Sequence, residues 1–133
     1  MTGLAILLSV VTGALALVHA AWALGFWFPF RDEAVLVRAA VGIRGAERMP
    51  GPIPCVLVSM GMSLAIGALW ADLAVSFWVI FAAGMTFVAR GLLTYMPTWR
   101  RMAAIEPFAT LDRRLYGPMC LGLGIGYLAM LTG

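Results

Sequence analysis

The sequence predicts an all-α, polytopic membrane protein with four transmembrane helices arranged as two hairpins. Its composition, 63% hydrophobic and only 11% charged, lies outside the usual range for a soluble domain. Several uncharged runs approach the 20 or so residues that a helix needs to cross a bilayer core about 30 Å thick. The charged residues concentrate between these runs. A chain of 133 residues has room for one domain, so we expect a single four-helix transmembrane domain over residues 1–133.

Prolines and charges set the expected ends of the helices. The first run ends before Pro29, and three prolines within residues 49–54 prevent a helix until just before the second run. Asp72 is the only charge between the second and third runs, which predicts a tight turn there, and Pro97 ends the third. The expected spans are residues 4–27, 53–71, 73–96 and 115–131.

The positions of the arginines predict the orientation. All nine basic residues are arginine, and the two long loops, 31–52 and 97–114, carry four each. Because basic residues accumulate in cytoplasmic loops, we expect both loops in the cytoplasm and both termini outside, in an inner (plasma) membrane. The lipid bilayer is then the main partner. Residues 34–43 suit either a short helix on the membrane surface or a solvated loop.

Several function classes are disfavoured. The arginines lie beside membrane spans and among acidic residues, so we expect no nucleic-acid partner. Cys55 and Cys120 are too few for a disulfide framework and lack the spacing of a metal site. The sequence has no HExxH motif and no Ser-His-Asp set, which favours a non-enzymatic protein.

The only histidine, His19, lies within the first predicted span. An ionisable residue there often faces a bundle interior, where it can relay protons, ligate a haem or pigment, or form a buried polar pair. A neutral imidazole bonded to a neighbouring helix is the simpler interpretation, and we expect no cofactor. Trp22 and Gly25 follow at intervals of three and should share its face, unless Trp22 is an interfacial anchor and Gly25 a packing residue.

Two charged residues near the predicted membrane boundary complete the candidate polar site. Arg90, near the end of the third span, can clamp an anion inside the bundle or extend its side chain to the headgroups. Asp112 precedes the fourth span and can cap it, pair at the surface, or bridge to Arg90 or His19. The candidate polar site therefore consists of His19, Trp22, Arg90, Asp112 and Tyr116.

Small residues four positions apart predict close helix packing. Gly122 and Gly126 have this spacing in the fourth span, and Ser63 and Gly67 have it in the second. These faces can bring the second and fourth helices together or form the seam of an oligomer.

Three short elements carry a resemblance: His19-x-x-Trp22-x-x-Gly25, Met49-Pro50, and Asp112-x-x-x-Tyr116-x-Pro118-x-Cys120. With them, nearly the whole chain resembles a family of uncharacterised bacterial four-helix integral membrane proteins, classed as a domain of unknown function. The resemblance implies the four-helix fold and draws attention to His19, Trp22 and Asp112, and it implies no activity. The run Phe26-Trp27-Phe28-Pro29 departs from the family pattern, which leaves the end of the first helix open.

Three functional hypotheses follow. The first is a non-enzymatic membrane protein, either a helper subunit of a membrane assembly or a self-associating bundle, since the loops are short and the helices rich in Gly and Ala. The second is a small transporter or channel whose polar site uses His19, Arg90 and Asp112. The third is a haem- or pigment-binding protein that uses His19. Convergence of His19, Arg90 and Asp112 on one cavity distinguishes the second from the others.

Overall fold

The computed structural model describes all 133 residues and is all-α. Two π-helical segments, Val37–Val41 and Asp112–Tyr116, directly follow the second and sixth helices. The helices are α1 (Thr2–Ala23), α2 (Glu33–Leu36), α3 (Pro52–Trp70), α4 (Ala74–Leu93), α5 (Pro97–Met102), α6 (Phe108–Leu111) and α7 (Gly117–Met130).

Three helices, α1, α3 and α4, are long and apolar enough to cross a membrane. They contain 22, 19 and 20 residues, with mean hydropathies of 2.2, 1.9 and 1.6 over their most apolar windows. These three helices thus have the length and composition of transmembrane helices. The helix α7 has 14 residues and is shorter.

The four longest helices pack around one core. The most extensive contacts join α4 to α7 and α1 to α3, and smaller contacts join α3 to α4 and α1 to α7. Tyr127 of α7 is fully buried at the centre, where its hydroxyl donates to Thr12 Oγ1 at 3.1 Å and its ring stacks on Phe87 at 5.9 Å. The core side chains thereby fix α7 against both α1 and α4.

Glycines permit the close approach of α4 and α7. Gly84 and Gly91 on α4 and Gly117 and Gly124 on α7 are all buried, and each pair is seven residues apart. Seven residues make about two helical turns, so each pair shares a face. A Cβ atom on Gly124 would lie 2.8 Å from the carbonyl oxygen of Gly84, which no ordinary contact allows.

The small residues that could have packed the second predicted span against the fourth do not bring α3 and α7 together. A Cβ atom on Gly67 or on Gly122 would have no neighbouring atom within 4 Å, and Ser63 is exposed. Gly126 does pack, but against Leu8 of α1. The physical reason is helical rotation: residues two apart point in nearly opposite directions, so the face of Gly124 that meets α4 cannot also carry Gly122.

The first helix ends at Ala23, before the predicted end at residue 27. Gly25 adopts a left-handed conformation with φ +83°, and the amide of Phe26 donates to the carbonyl of Ala21 at 2.9 Å. This geometry terminates a helix. Gly25 therefore does not share a helical face with His19, as the spacing had suggested, and its role is to end α1.

The helix that contains the predicted fourth span begins earlier than residue 115. Helical backbone starts at Phe108 and continues through the π-helical segment Asp112–Tyr116 into α7. The amide of Gly117 donates to the carbonyl of Asp112, the five-residue step of a π-helix. Pro118 follows where the α-helix resumes, and proline is tolerated in a first helical turn.

The two long loops meet at one end of the bundle. The amide of Arg44 donates to the carbonyl of Met102 at 3.0 Å, and that of Ile105 donates to the carbonyl of Gly42 at 3.1 Å. Gly42 has φ +61°, and a Cβ atom there would collide with the ring of Phe108. The loops therefore form one joined layer over the helix ends.

A short helix does form within the first loop, but it packs against the protein. Asp32 caps α2 by accepting from the amide of Ala34 at 3.0 Å. Leu36 and Val37 are buried with Met49 in a second apolar cluster, which Trp22 and Trp27 also contact. This cluster holds the first loop against the end of α1.

Candidate functional site

A buried carboxylate lies where the end of α4 meets the π-helical segment before α7. Asp112 is 3% exposed, and its Oδ1 lies 2.8 Å from Nη2 of Arg90 in the only ion pair of the chain. Thr94 and Trp99 also bond to this carboxylate. We call Arg90, Thr94, Trp99 and Asp112 the Asp112 cluster.

Donors occupy both carboxylate oxygens. The hydroxyl of Thr94 donates to Oδ1 at 3.2 Å, and the indole Nε1 of Trp99 donates to Oδ2 at 2.9 Å. Arg90 also donates from Nη1 to Thr94 at 2.9 Å, and its guanidinium carbon lies 5.4 Å from the centroid of the Trp99 ring. No buried side-chain polar atom in the chain lacks a partner. The cluster is therefore a fully satisfied network, which a low-dielectric site requires.

Three elements bring the cluster together. Arg90 and Thr94 are one turn apart at the end of α4, so their side chains lie on the same face. Pro97 begins α5, which carries Trp99 back toward them. Asp112 opens the π-helical segment, and Gly117 at its far end lies so close to Thr94 that a Cβ atom would be 2.9 Å from the methyl carbon. The irregular helix thus seats the carboxylate against α4.

A cavity of about 130 Å³ adjoins the cluster. Five of the eight lining residues carry polar groups, namely Thr94, Trp99, Arg100, Asp112 and Arg113. The remaining lining residues are alanines, namely Ala103, Ala104 and Ala109. Their short side chains leave the space open.

His19 and Trp22 lie outside this cluster. Nδ1 of His19 is 2.7 Å from the carbonyl oxygen of Leu15, and the imidazole lies 4.9 Å from the Trp22 ring. Both partners belong to α1, and His19 does not line the cavity. Trp22 donates from its indole nitrogen to the carbonyl of Phe28 at 2.7 Å, which secures the turn after α1.

Of the five predicted site residues, only Arg90 and Asp112 belong to this cluster, whereas His19 and Trp22 contact each other on α1. The guanidinium of Arg90 pairs with Asp112, and the Arg90 side chain stays 33% exposed. Asp112 does not cap a helix, because the helix that contains it begins at Phe108. Tyr116 lies nearby but donates its hydroxyl to the carbonyl of Ala39 at 2.9 Å, so it links the two π-helical segments.

Thr94 and Trp99 were not predicted as site residues. The spacing Arg90-x-x-x-Thr94 on a helix was the available signal, since it places a hydroxyl beside the guanidinium. Trp99 carried no comparable signal, because a tryptophan near a membrane boundary is ordinary.

Thr94→Val should destabilise the protein by about 1 to 2 kcal/mol, because it removes a buried hydroxyl that donates to Asp112 and accepts from Arg90. Thr132→Val is the control, since that exposed hydroxyl bonds only to the carbonyl of Ala129 three residues earlier. We expect the control to change the free energy of unfolding by less than about 0.5 kcal/mol. Denaturant titration in mild detergent measures both, and equal effects would contradict the role given to Thr94.

No group of three or more His, Cys, Asp or Glu side chains is placed to hold a metal ion. Cys55 and Cys120 are free and buried. The side chains of the Asp112 cluster form an ion pair and hydrogen bonds with one another.

Comparison with known proteins identifies one match. A family model described as "Protein of unknown function (DUF3995)" matches residues 12–127, which include every residue of the Asp112 cluster as well as His19 and Trp22. This match confirms the resemblance to a family of unknown function. No curated protein and no solved structure matches the chain.

Proposed function

The chain belongs to the DUF3995 family of proteins of unknown function, and we propose that it is a non-enzymatic inner-membrane protein that associates with a second copy of itself. In this proposal α1, α3, α4 and α7 cross the bilayer as two hairpins. One observation carries the proposal of self-association. An open apolar groove separates α3 from α4 on the outer face of the bundle.

The groove has a volume of about 600 Å³, and ten of its twelve lining residues are hydrophobic. Its lining includes Gly61 and Ala65 on α3 and Ala82 and Ala83 on α4. Small residues of this kind let helices approach closely within a membrane. Only 11% of the most apolar part of α3 is buried, which is the lowest fraction among the three long apolar helices. The α3 face therefore has room for another helix.

An aromatic ridge adjoins the groove. Phe77, Trp78 and Phe81 are exposed on α4, and successive rings meet edge to face with centroids 5.2 and 6.4 Å apart. Trp78 also lines the groove. A two-fold interface uses the same patch on both subunits, so a groove beside a ridge is self-complementary. This geometry favours a second copy as the occupant.

Features of the two ends support the proposed topology. The Arg-rich loops bond to each other at one end of the bundle, and the termini are near neighbours, since a Cβ atom on Gly133 would lie 2.6 Å from the Met1 side chain. If both long loops lie on one side of the bilayer and both termini lie on the other, the chain crosses the bilayer an even number of times. We place the loops in the cytoplasm because of their arginines. The helical length of α7, about 21 Å, then covers most of the hydrocarbon core.

Cysteine cross-linking in native membranes tests self-association. In a background with Cys55→Ala and Cys120→Ala, we expect Gly61→Cys in the groove to give a covalent dimer in severalfold higher yield than Leu17→Cys. Leu17 is the matched control because it is 73% exposed on α1, away from the groove.

Three outcomes would contradict self-association. Equal yields at the two positions would mean random collision, and a product formed only with a protein of different mass would favour the helper-subunit hypothesis. A strictly monomeric particle in mild detergent at native expression would also argue against the dimer.

The other two hypotheses have less support. A transporter or channel site built from His19, Arg90 and Asp112 needs all three at one cavity, but His19 bonds within α1 and lines no part of the cavity beside Asp112. Haem or pigment binding would rest on His19 alone. That the protein binds no cofactor stays a prediction.

A further inference from the structure

We propose that the cavity beside Asp112 binds the phosphate group of an anionic lipid headgroup, with Arg100 and Arg113 as its ligands. This inference depends on a membrane location and not on self-association. Anionic headgroups are recognised by basic pockets between transmembrane helices on the cytoplasmic side. The charge distribution, the free guanidinium groups and the neighbouring apolar surface carry the argument.

The positive charge of the protein is confined to one segment. Residues 90–114 contain five arginines and two acids, which accounts for the whole formal net charge of +3. In the rest of the chain, four arginines are balanced by four acids. An anion approaching the protein is therefore attracted toward the end of α4 and the segment that follows it.

Two arginines at the cavity are available for a ligand. Arg100 and Arg113 both line it, both are exposed, and neither lies within 4.0 Å of a carboxylate oxygen, since the only ion pair joins Arg90 to Asp112. Arg113 uses Nε to donate to the carbonyl of Ala109 at 3.2 Å, and its terminal nitrogens make no hydrogen bond. Guanidinium groups bind phosphate oxygens through paired, charge-assisted hydrogen bonds.

The carboxylate on the cavity wall does not prevent anion binding. Asp112 is paired with Arg90, and both of its oxygens already accept hydrogen bonds. Glu106, the other acid of the segment, accepts from the amide and hydroxyl of Thr110 and does not line the cavity. The uncompensated charge at the cavity is therefore positive.

The surroundings favour a lipid over a soluble phosphate compound. Tyr95, Met96 and Met102 are about half exposed next to the cluster, where the apolar helix α4 ends. Apolar side chains beside a basic cavity suit a ligand with an acyl chain attached to its anionic group. The volume of about 130 Å³ is small, so the phosphate would enter and the chains would stay outside. Inorganic phosphate has the same chemistry and is the competing source.

Binding of fluorescent phosphatidylglycerol to the purified protein in detergent tests this site. Phosphatidylcholine is the comparison with no net charge, because its phosphate is neutralised by its own choline cation. Arg100→Gln with Arg113→Gln should weaken phosphatidylglycerol binding about tenfold or more, since each arginine near an anionic lipid is worth about 1 kcal/mol. Arg31→Gln with Arg48→Gln removes the same charge from exposed positions of the other loop and should weaken binding no more than about twofold.

A cavity-filling variant separates the cavity from diffuse charge attraction. Ala104→Phe keeps every arginine and should abolish the preference for phosphatidylglycerol, and Ala109→Leu provides a second, smaller filling. Circular dichroism confirms that each variant is folded. Unchanged lipid affinity in both filled variants, or equal weakening by the two arginine pairs, would overturn the proposal.

Competition by inorganic phosphate distinguishes the two sources of the ligand. Failure of millimolar phosphate to displace the lipid supports the headgroup as the occupant. Displacement supports the same cavity with a free phosphate anion as its ligand. Equal binding of phosphatidylglycerol and phosphatidylcholine by the unaltered protein would contradict both.

Discussion

Asp112→Ala should destabilise the folded protein by about 3 kcal/mol, the lower end of the range for breaking a buried ion pair. The substitution leaves the guanidinium of Arg90, the hydroxyl of Thr94 and the indole N–H of Trp99 without their acceptor. The lower end applies because the Arg90 side chain is 33% exposed and can regain water. The free energy of unfolding, measured by titration with sodium dodecyl sulfate in mixed micelles, gives the magnitude.

The control for this prediction is Asp72→Ala. Asp72 is an exposed acid in the turn between α3 and α4 and forms no ion pair, so its loss should change stability by less than about 0.5 kcal/mol. The double substitution Arg90→Met with Asp112→Leu should recover part of the stability, because apolar residues of similar size can replace the ion pair, whereas the donors of Thr94 and Trp99 still lack their acceptor. Similar losses for Asp112→Ala and Asp72→Ala would show that the cluster is not a stability determinant.

Gly124→Ala should destabilise the protein by about 2 kcal/mol through overpacking between α4 and α7. The added Cβ would lie 2.7 Å from the amide nitrogen of Val88 and 2.8 Å from the carbonyl oxygen of Gly84. Both are backbone atoms, so no rotation of a side chain relieves the contact. The two helices must separate, and the adjoining stack of Phe87 on Tyr127 loosens with them. The same titration in mixed micelles measures the loss.

Gly122→Ala is a matched control on the same helix. A Cβ atom there meets nothing within 4 Å. Because alanine favours helix over glycine by up to about 1 kcal/mol, this variant should be neutral or slightly more stable than the unaltered protein. If both substitutions had the same effect, close packing would not be what glycine provides at position 124.

Local features of the sequence predicted the three long apolar helices. The predicted helix ends were wrong where hydropathy did not reveal the backbone conformation. The apolar aromatics after Ala23 extended the first predicted helix to residue 27, whereas Gly25 ends it by adopting a positive φ. Charges at Asp112 and its two neighbouring arginines made residues 97–114 resemble a loop. The backbone there is already helical from Phe108, because its amides find partners within the chain regardless of side-chain charge.

The candidate site was predictable in part. Arg90 and Asp112 stand out in the sequence because charges next to apolar spans are unfavourable unless they have a partner or reach water. Their pairing depends on three features of the fold: the rotation of α4, the π-helical segment that carries Asp112, and the close approach of Gly117 to Thr94. His19 stood out for the same reason, but the Nδ1 atom of its imidazole bonds within its own helix, to the carbonyl of Leu15. Charge in an apolar context identifies candidates, and only geometry identifies partners.

The sequence by itself determined the apolar character of this protein and the approximate positions of its long helices, since hydropathy is a sum over neighbours along the chain and needs no knowledge of the fold. The tertiary structure alone decided which polar groups meet and which glycines pack. Arg90 and Asp112 are 22 residues apart, and Gly122 and Gly124 differ only in the direction they face. Both outcomes depend on how each helix is rotated against its neighbours, which the pattern of residue types does not specify.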